Sequence, residues 1–190
     1  MAESKNNVVT HGLSGKVGDM LVFSQRHGKT VVSRKPRINE NRELSAEQEQ
    51  HKRKFQQAII YAKSAVADVS TKAAYDAERK PGMSAFNVAV ADLLNAPDIE
   101  SIDLSAYHGN IGDLIVVQVM DDFKVASVTI TISNADGSEV ESGNAVQNTD
   151  NALNWTYSAT QNNPSLTGDK ITVVVSDLPG NLTQKQETLG

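Results

Sequence analysis

The chain has 190 residues, 39% hydrophobic and 5% aromatic, with a formal net charge of −5. That length holds one large domain or two small ones, and so few aromatics leave a modest core. The absence of cysteine excludes disulfides, thiolate metal sites and cysteine nucleophiles.

The total charge hides an asymmetry. Residues 1–80 carry 15 Lys+Arg against 9 Asp+Glu, a balance of +6, and residues 81–190 carry 3 against 14, a balance of −11. A basic part joined to an acidic part points to a modular protein whose ends bind different things, or each other. Met1 to Thr10 is polar and lacks the apolar core of a signal peptide, and no apolar run approaches the ~20 residues of a membrane helix. The expectation is cytoplasmic synthesis without a signal peptide and no membrane span. Entry into an extracellular or virion-like particle would then need another route.

In chain order, Val17 to Ser24 reads as a strand, Gln25 to Lys29 as a turn with one glycine, and Thr30 to Ser33 as a β-branched second strand. The pair predicts a β-hairpin, which is marginal alone and must pack on something. Ser45-Ala46-Glu47-Gln48 is a capping box. Behind it Phe55, Ala58, Ile59, Ala62, Ala65, Val66 and Val69 form a one-sided helical stripe. Thr71 to Arg79 continues as a short helix that Pro81-Gly82 ends. Ser84 is the expected N-cap of another helix, with Phe86, Ala89, Val90, Leu93 and Leu94 on one face and Asn95-Ala96-Pro97 as its stop.

From about Ser101 the texture is β. Strands are expected at 102–107, 114–120, 126–133, 138–142, 152–160, 170–176 and 182–188, with turn residues between them. Val128, Ile130 and Ile132 alternate with Thr129, Thr131 and Ser133, as a half-buried strand requires. Seven short strands in about 90 residues predict a β-sandwich. The fold class is therefore α+β: a hairpin and basic helical domain over 1–100, then a sandwich over 101–190.

Asp122-Phe123 leading into Val128–Ile132, Asp136-Gly137, Trp155-Thr156-Tyr157 and the ending Ile171 to Asn181 carry a resemblance. Residues 113–188 resemble a bacterial immunoglobulin-like domain, and the missing cysteine pair excludes the antibody type. The resemblance implies a spacer, adhesive or assembly module without catalytic residues. Ser14-Gly15-Lys16-Val17-Gly18 and Gly28-Lys29-Thr30 resemble the opening of uncharacterised bacterial and phage-like proteins that begin with such a hairpin and a basic helix.

Gly28-Lys29-Thr30 lacks the glycine five residues earlier that a phosphate loop needs, Phe23 standing there, and β-branched residues follow it instead of a helix. His11, His27, His51 and His108 have no metal-ligand spacing. No Gly-x-Ser-x-Gly elbow is present. Glu139 and Glu141 read as a solvated strand face. No metal site is expected: Asp121, Asp122 and Asp136 are an oxygen-only set that could meet Ca²⁺ at one end of the sandwich, but the loop 134–137 lacks the full EF-hand pattern and Asp-Gly is also a common turn. No catalytic residue and no cofactor is expected.

The basic cluster comprises Arg34, Lys35, Arg37, Lys52, Arg53 and Lys54. Such clusters neutralise phosphates, yet Glu40, Glu43, Glu47 and Glu49 interleave with this one and no aromatic platform accompanies it. The leading reading is a non-enzymatic structural or assembly protein, a homo-oligomeric subunit or accessory of a phage-like, injection-type or surface particle. Its partner would be itself or a particle component, met through Phe23, Val31 and Val32 by strand addition and through the basic cluster. The alternatives are a nucleic-acid-associated protein using that cluster, and an adhesive or carbohydrate-binding module, which the single Trp155 disfavours.

Overall fold

The computed structural model describes residues 2–4, 9–26, 28–35 and 43–190. Among these described residues, three helices and three antiparallel sheets make an α+β fold. The chain divides into two compact units, Met1–Glu49 and Gln50–Gly190. This division falls upstream of both the charge change near residue 81 and the change to β texture near residue 101.

The first unit is a four-stranded sheet. β1 (Ala2–Ser4), β2 (Gly15–Val17), β3 (Leu21–Arg26) and β4 (Lys29–Arg34) lie in the order β1-β4-β3-β2. β3 and β4 form the hairpin, with Phe23 opposite Val32, Ser24 opposite Val31 and Arg26 opposite Lys29. Gly28, at φ 76°, takes the left-handed conformation of the tight turn. A loop folds over one end of the sheet. Gly12 N donates to Thr30 Oγ1 (3.2 Å), and Gln25 Nε2 donates to Thr30 Oγ1 and to Leu13 O (each 2.8 Å).

The capping box opens α1 (Ala46–Ala67): Ser45 N donates to Gln48 Oε1 (3.2 Å) and Gln48 N to Ser45 Oγ (3.3 Å). The expected stripe is buried only in its middle, at Ala58, Ala62 and Ala65. Phe55 is 44% exposed, and Val69 is exposed because α1 ends at Ala67 and Val69 opens a new helix. The break is Asp68, which caps α2 (Val69–Ala77) by accepting from Thr71 N (2.8 Å) and Ser70 Oγ (2.6 Å). Ser84 caps α3 (Ala85–Leu94) through Asn87 N (3.3 Å).

In this second unit two four-stranded sheets share one core in a sandwich-like arrangement. One has the order β5-β6-β10-β9: β5 (Asp98–Asp103), β6 (Leu114–Met120), β10 (Asn154–Ser158) and β9 (Val146–Gln147). The other has the order β12-β11-β7-β8: β12 (Leu182–Thr188), β11 (Lys170–Asp177), β7 (Val125–Ser133) and β8 (Glu139–Asn144). Ile115, Val117 and Trp155 of the first sheet meet Ile130, Ile132, Ile171 and Val173 of the second. The period-2 alternation of β7 and β11 aims one set of side chains inward and leaves the threonines outward. A second core, of Ala62, Ala65, Tyr75, Ala85 and Ala89, belongs to the helices, and Phe123 from the β6–β7 turn packs into it.

Two expectations need correction. The first strand of this unit starts at Asp98, four residues earlier than expected, because buried Ile99 pairs with Val119 directly after Pro97. Tyr107, expected to close that strand, lies beyond it and is nevertheless buried. Glu141 is not on a solvated face and is only 6% exposed. A register shift between Ile132 and Ser133 breaks the i, i+2 rule, so Glu141 stands opposite core Ile132 while Glu139 stands opposite Ser133. Its Oε2 accepts from Tyr157 OH, Thr160 N and Thr160 Oγ1 at 2.6–2.8 Å. Burial raises the Glu141 pKa, and the bonds from Thr160 and Tyr157 outweigh that and hold it low.

One glycine in this unit makes a sharp prediction. Gly109 has φ +86°, and a Cβ there would stand 2.2 Å from the Asn163 backbone oxygen. Gly112 has φ +90° with nothing within 4 Å. Gly112→Ala should therefore cost only the left-handed strain, about 1–2 kcal/mol. Gly109→Ala adds overpacking against backbone, roughly 1–3 kcal/mol more. Urea unfolding of the two variants measures the difference, and equal stabilities would show that the 108–112 turn yields freely.

Candidate functional site

The most unusual chemistry lies where α3 meets the sandwich. Ala85, Ala89 and Asp92 are the buried positions of α3, at i, i+4 and i+7 on one stripe. A helix that buries its third stripe position as a carboxylate needs a polar environment there. The hydroxyl of Tyr75, from α2, supplies part of it by donating to Asp92 Oδ2 (2.5 Å), and it lies 2.8 Å from the hydroxyl of Tyr61, from α1. All three helices thus contribute to one hydrogen-bonded chain.

From the sandwich come the β6–β7 turn and the end of β11. Asp92, Asp121 and Asp177 each offer one carboxylate oxygen, and these three atoms lie within 4.8 Å of one another. Asp177 is held by the turn that follows it, its Oδ1 accepting from Asn181 N (2.6 Å) and its Oδ2 from Asn181 Nδ2 (2.7 Å). The same Asn181 amide reaches the last carbonyls of α3, those of Asp92 (3.3 Å) and Leu93 (3.2 Å). Asn95 Nδ2 donates to Asp122 Oδ2 (2.5 Å), and Thr183 Oγ1 to Pro97 O (2.5 Å). The helix C-terminus is therefore fastened to the sandwich by side chains of the sandwich itself.

Asp92 is 1% exposed. Burial pushes its pKa up from 3.8 to about 7; the Tyr75 hydrogen bond opposes the rise, and Asp121, Asp177 and Asp122 add to it. Burial also raises Asp121, against the amides of its own turn. Burial raises Tyr75 further above its ordinary value, and the neighbouring Asp92 adds to that. A cleft of about 230 Å³, lined by Asp92, Asp122, Phe123 and Lys80 among others, opens beside the cluster.

Of the acidic residues expected to act together, the fold brings Asp121 beside Asp92 and Asp177 but places Asp136 in the turn at the other end of β7. There Asp136 accepts from Ser138 N (2.8 Å) and Ser138 Oγ (2.6 Å) as a turn cap. Asp122 faces Asn95 instead of the three clustered oxygens. Asp92 escaped sequence reading because it sits among Leu93, Leu94 and Val90. The signal that would have found it is the 85-89-92 spacing, an acid on an alanine stripe.

The expected partner-binding residues are dispersed. Cross-strand pairing puts Phe23 and Val32 on one face of the first sheet and Val31 on the other. Arg34 is exposed, and Lys35 pairs with Asp19 (2.7 Å). Arg37 lies outside the described residues, as do Arg42 and His27. Lys52 and Arg53 are exposed on α1, while Lys54 Nζ donates to Leu94 O (2.9 Å) at the C-terminus of α3, where a cation also complements the helix dipole. Lys29 and Thr30 of the Gly-Lys-Thr sequence lie within strand β4.

No protein-family model matches the chain, and no curated protein matches it significantly. Among solved structures it is similar to CopC from Methylosinus trichosporium OB3b, at 16% identity and a TM-score of 0.36, over 47% of this chain and 87% of that one. A likeness at that score carries no functional argument.

Proposed function

We propose that the protein is a non-enzymatic structural subunit that assembles with copies of itself into a larger particle or filament. The carrying observation is the first unit. Among its described residues only Thr30 and Val31 are buried, although it forms a four-stranded sheet. Two buried side chains offset little of the ordering entropy of the described strands, since roughly 1–2 kcal/mol opposes fixing each backbone residue. A sheet so poor in core needs a partner to cover it. Val17 (56% exposed), Met20 (76%) and Leu21 offer apolar surface for that contact. A groove lined by Asp19, Met20, Leu21, Arg34 and Lys35 runs beside them.

The sandwich-like part suits a projecting module of the immunoglobulin-like class. The orders β5-β6-β10-β9 and β12-β11-β7-β8 correspond to the A-B-E-D and G-F-C sheets of that class with one added edge strand. Bonding within the basic cluster weighs against the nucleic-acid reading: Lys35 and Lys54 are both engaged by groups of this chain.

Light scattering at low and high salt tests the reading. An oligomer that persists at high salt is expected, because an apolar contact tolerates screening. The double substitution Val17→Lys, Met20→Lys should return it to monomer. A native mass of 20.5 kDa for the unmodified chain at both salts would sink the self-assembly proposal.

A further inference from the structure

The junction of α3 with the sandwich holds three carboxylates and too few donors. Asp92 Oδ1 and both carboxylate oxygens of Asp121 are buried without a well-formed hydrogen bond, although the backbone amides of Asp122, Phe123 and Lys124 favour the Asp121 charge. Asp92 is itself 1% exposed, so bulk solvent does not reach its free oxygen. A buried acceptor left unpaired is destabilising, and a buried charge far more so. The residues that act most strongly on Asp92 besides Tyr75 are Asp121, Asp177 and Asp122, all acidic. One proton shared among the cluster would provide one donor for three orphaned oxygens. A cation held by one oxygen from each of Asp92, Asp121 and Asp177 would offset the buried charge and the shortage of donors together.

We propose that Asp92, Asp121 and Asp177 bind a hard divalent cation, Ca²⁺ fitting best, which clamps α3 to the β6–β7 and β11–β12 turns. The donor set is oxygen only, without His or Cys, which selects Ca²⁺, Mg²⁺ or Mn²⁺ over Zn²⁺ or Cu²⁺. The three atoms lie within 4.8 Å of one another. Ca²⁺ accepts irregular oxygen geometry, whereas Mg²⁺ demands a near-ideal octahedron and gives up its waters reluctantly, so a set of three protein carboxylates favours Ca²⁺. Asp177 keeps lone pairs for the ion although Asn181 donates to both of its oxygens, because each carboxylate oxygen accepts more than once. Water and backbone carbonyls complete the coordination, and the cleft lined by Asp92 and Asp122 is the entry path.

The ion would tie together segments far apart in the chain: a helix, a turn after β6 and the end of β11. Its consequence is a Ca²⁺-dependent stability of the helix–sandwich junction. The test uses the full chain, stripped with EDTA. Tb³⁺ excited through tyrosine should luminesce, since Tyr75 bonds directly to Asp92, and Ca²⁺ should quench the signal by displacement. The thermal midpoint should rise with added Ca²⁺ and less with Mg²⁺. Asp121→Asn and Asp177→Asn should each weaken Ca²⁺ binding at least about tenfold through loss of ligand charge. Asp136→Asn, altering a turn acid at the other end of β7, should leave it unchanged. No Ca²⁺-dependent shift of the thermal midpoint of the unmodified chain up to millimolar concentration overturns the proposal. So does Ca²⁺ affinity that survives in a folded Asp121→Asn variant, or falls equally in Asp136→Asn.

Discussion

Tyr75→Ala should destabilise the second unit by about 3–5 kcal/mol, the range for deleting a buried aromatic ring. Tyr75 is fully buried, and its core neighbours Ala62, Ala65, Ala85 and Ala89 contribute one methyl each. The ring therefore supplies most of the apolar volume at the centre of the helical core, and it stacks on Phe123 with ring centroids 4.3 Å apart and planes tilted by 32°. Alanine next to alanine cannot collapse far into the space that its loss would open. The hydroxyl adds a second cost, because without it Asp92 Oδ2 joins Oδ1 as an unpaired buried oxygen. Tyr75→Phe separates the two contributions. It keeps the ring and should cost about 1–3 kcal/mol, the penalty for an orphaned acceptor. Urea unfolding followed by Trp155 fluorescence and by helical circular dichroism measures both. Trp155 lies in the sandwich core and the dichroism follows the helices, so coincident transitions would show that helices and sandwich unfold as one cooperative element. A cost below about 1 kcal/mol for Tyr75→Ala would mean that the helices do not pack around this ring.

What was legible in the sequence was local. Ser45 and Gln48 cap each other, and Ser84 caps α3, because capping requires only residues within one turn. β7 and β11 alternate as written, since a period of two encodes its own burial. The misreadings have a different physical origin. The partners that make Asp92 tolerable come from residues 75, 121 and 177, and no local pattern links them. Glu141 looked solvated because the i, i+2 rule assumes an unbroken ladder, and a bulge opposite Ser133 breaks it. Phe55 and Val69 belong to the helical period of the stripe but lie at its ends and are exposed. Of the candidate metal site, Asp121 was legible as a turn acid at a strand end. Asp177 was legible only as part of a turn motif, and Asp92 not at all.

The buried carboxylate gives the second large effect, a stability that declines as pH rises through the acidic range when cations are removed with chelator. The sign follows from proton counting. The Asp92 pKa is 3.8 in the unfolded chain and is raised to about 7 in the folded one. Between those values the folded state holds a proton that the unfolded state has released, so raising the pH favours unfolding. The slope contributed by one such group reaches about 1.4 kcal/mol per pH unit and vanishes above the folded pKa. Asp121, also raised, acts in the same direction. Asp103, Asp113, Asp136 and Glu141 are lowered, so they act in the opposite direction, chiefly below pH 4, and bend the profile down at its acid end. Asp92→Asn isolates the effect. The amide keeps the shape and an oxygen for the Tyr75 hydroxyl but cannot ionise, so the variant should lose the decline between pH 4 and 7 and be the more stable protein at pH 8. Chemical denaturation at half-unit pH steps for both proteins gives the difference directly. Parallel profiles would mean that Asp92 ionises in the folded state as easily as in water, and that its burial beside Tyr75 is relieved by solvent in solution.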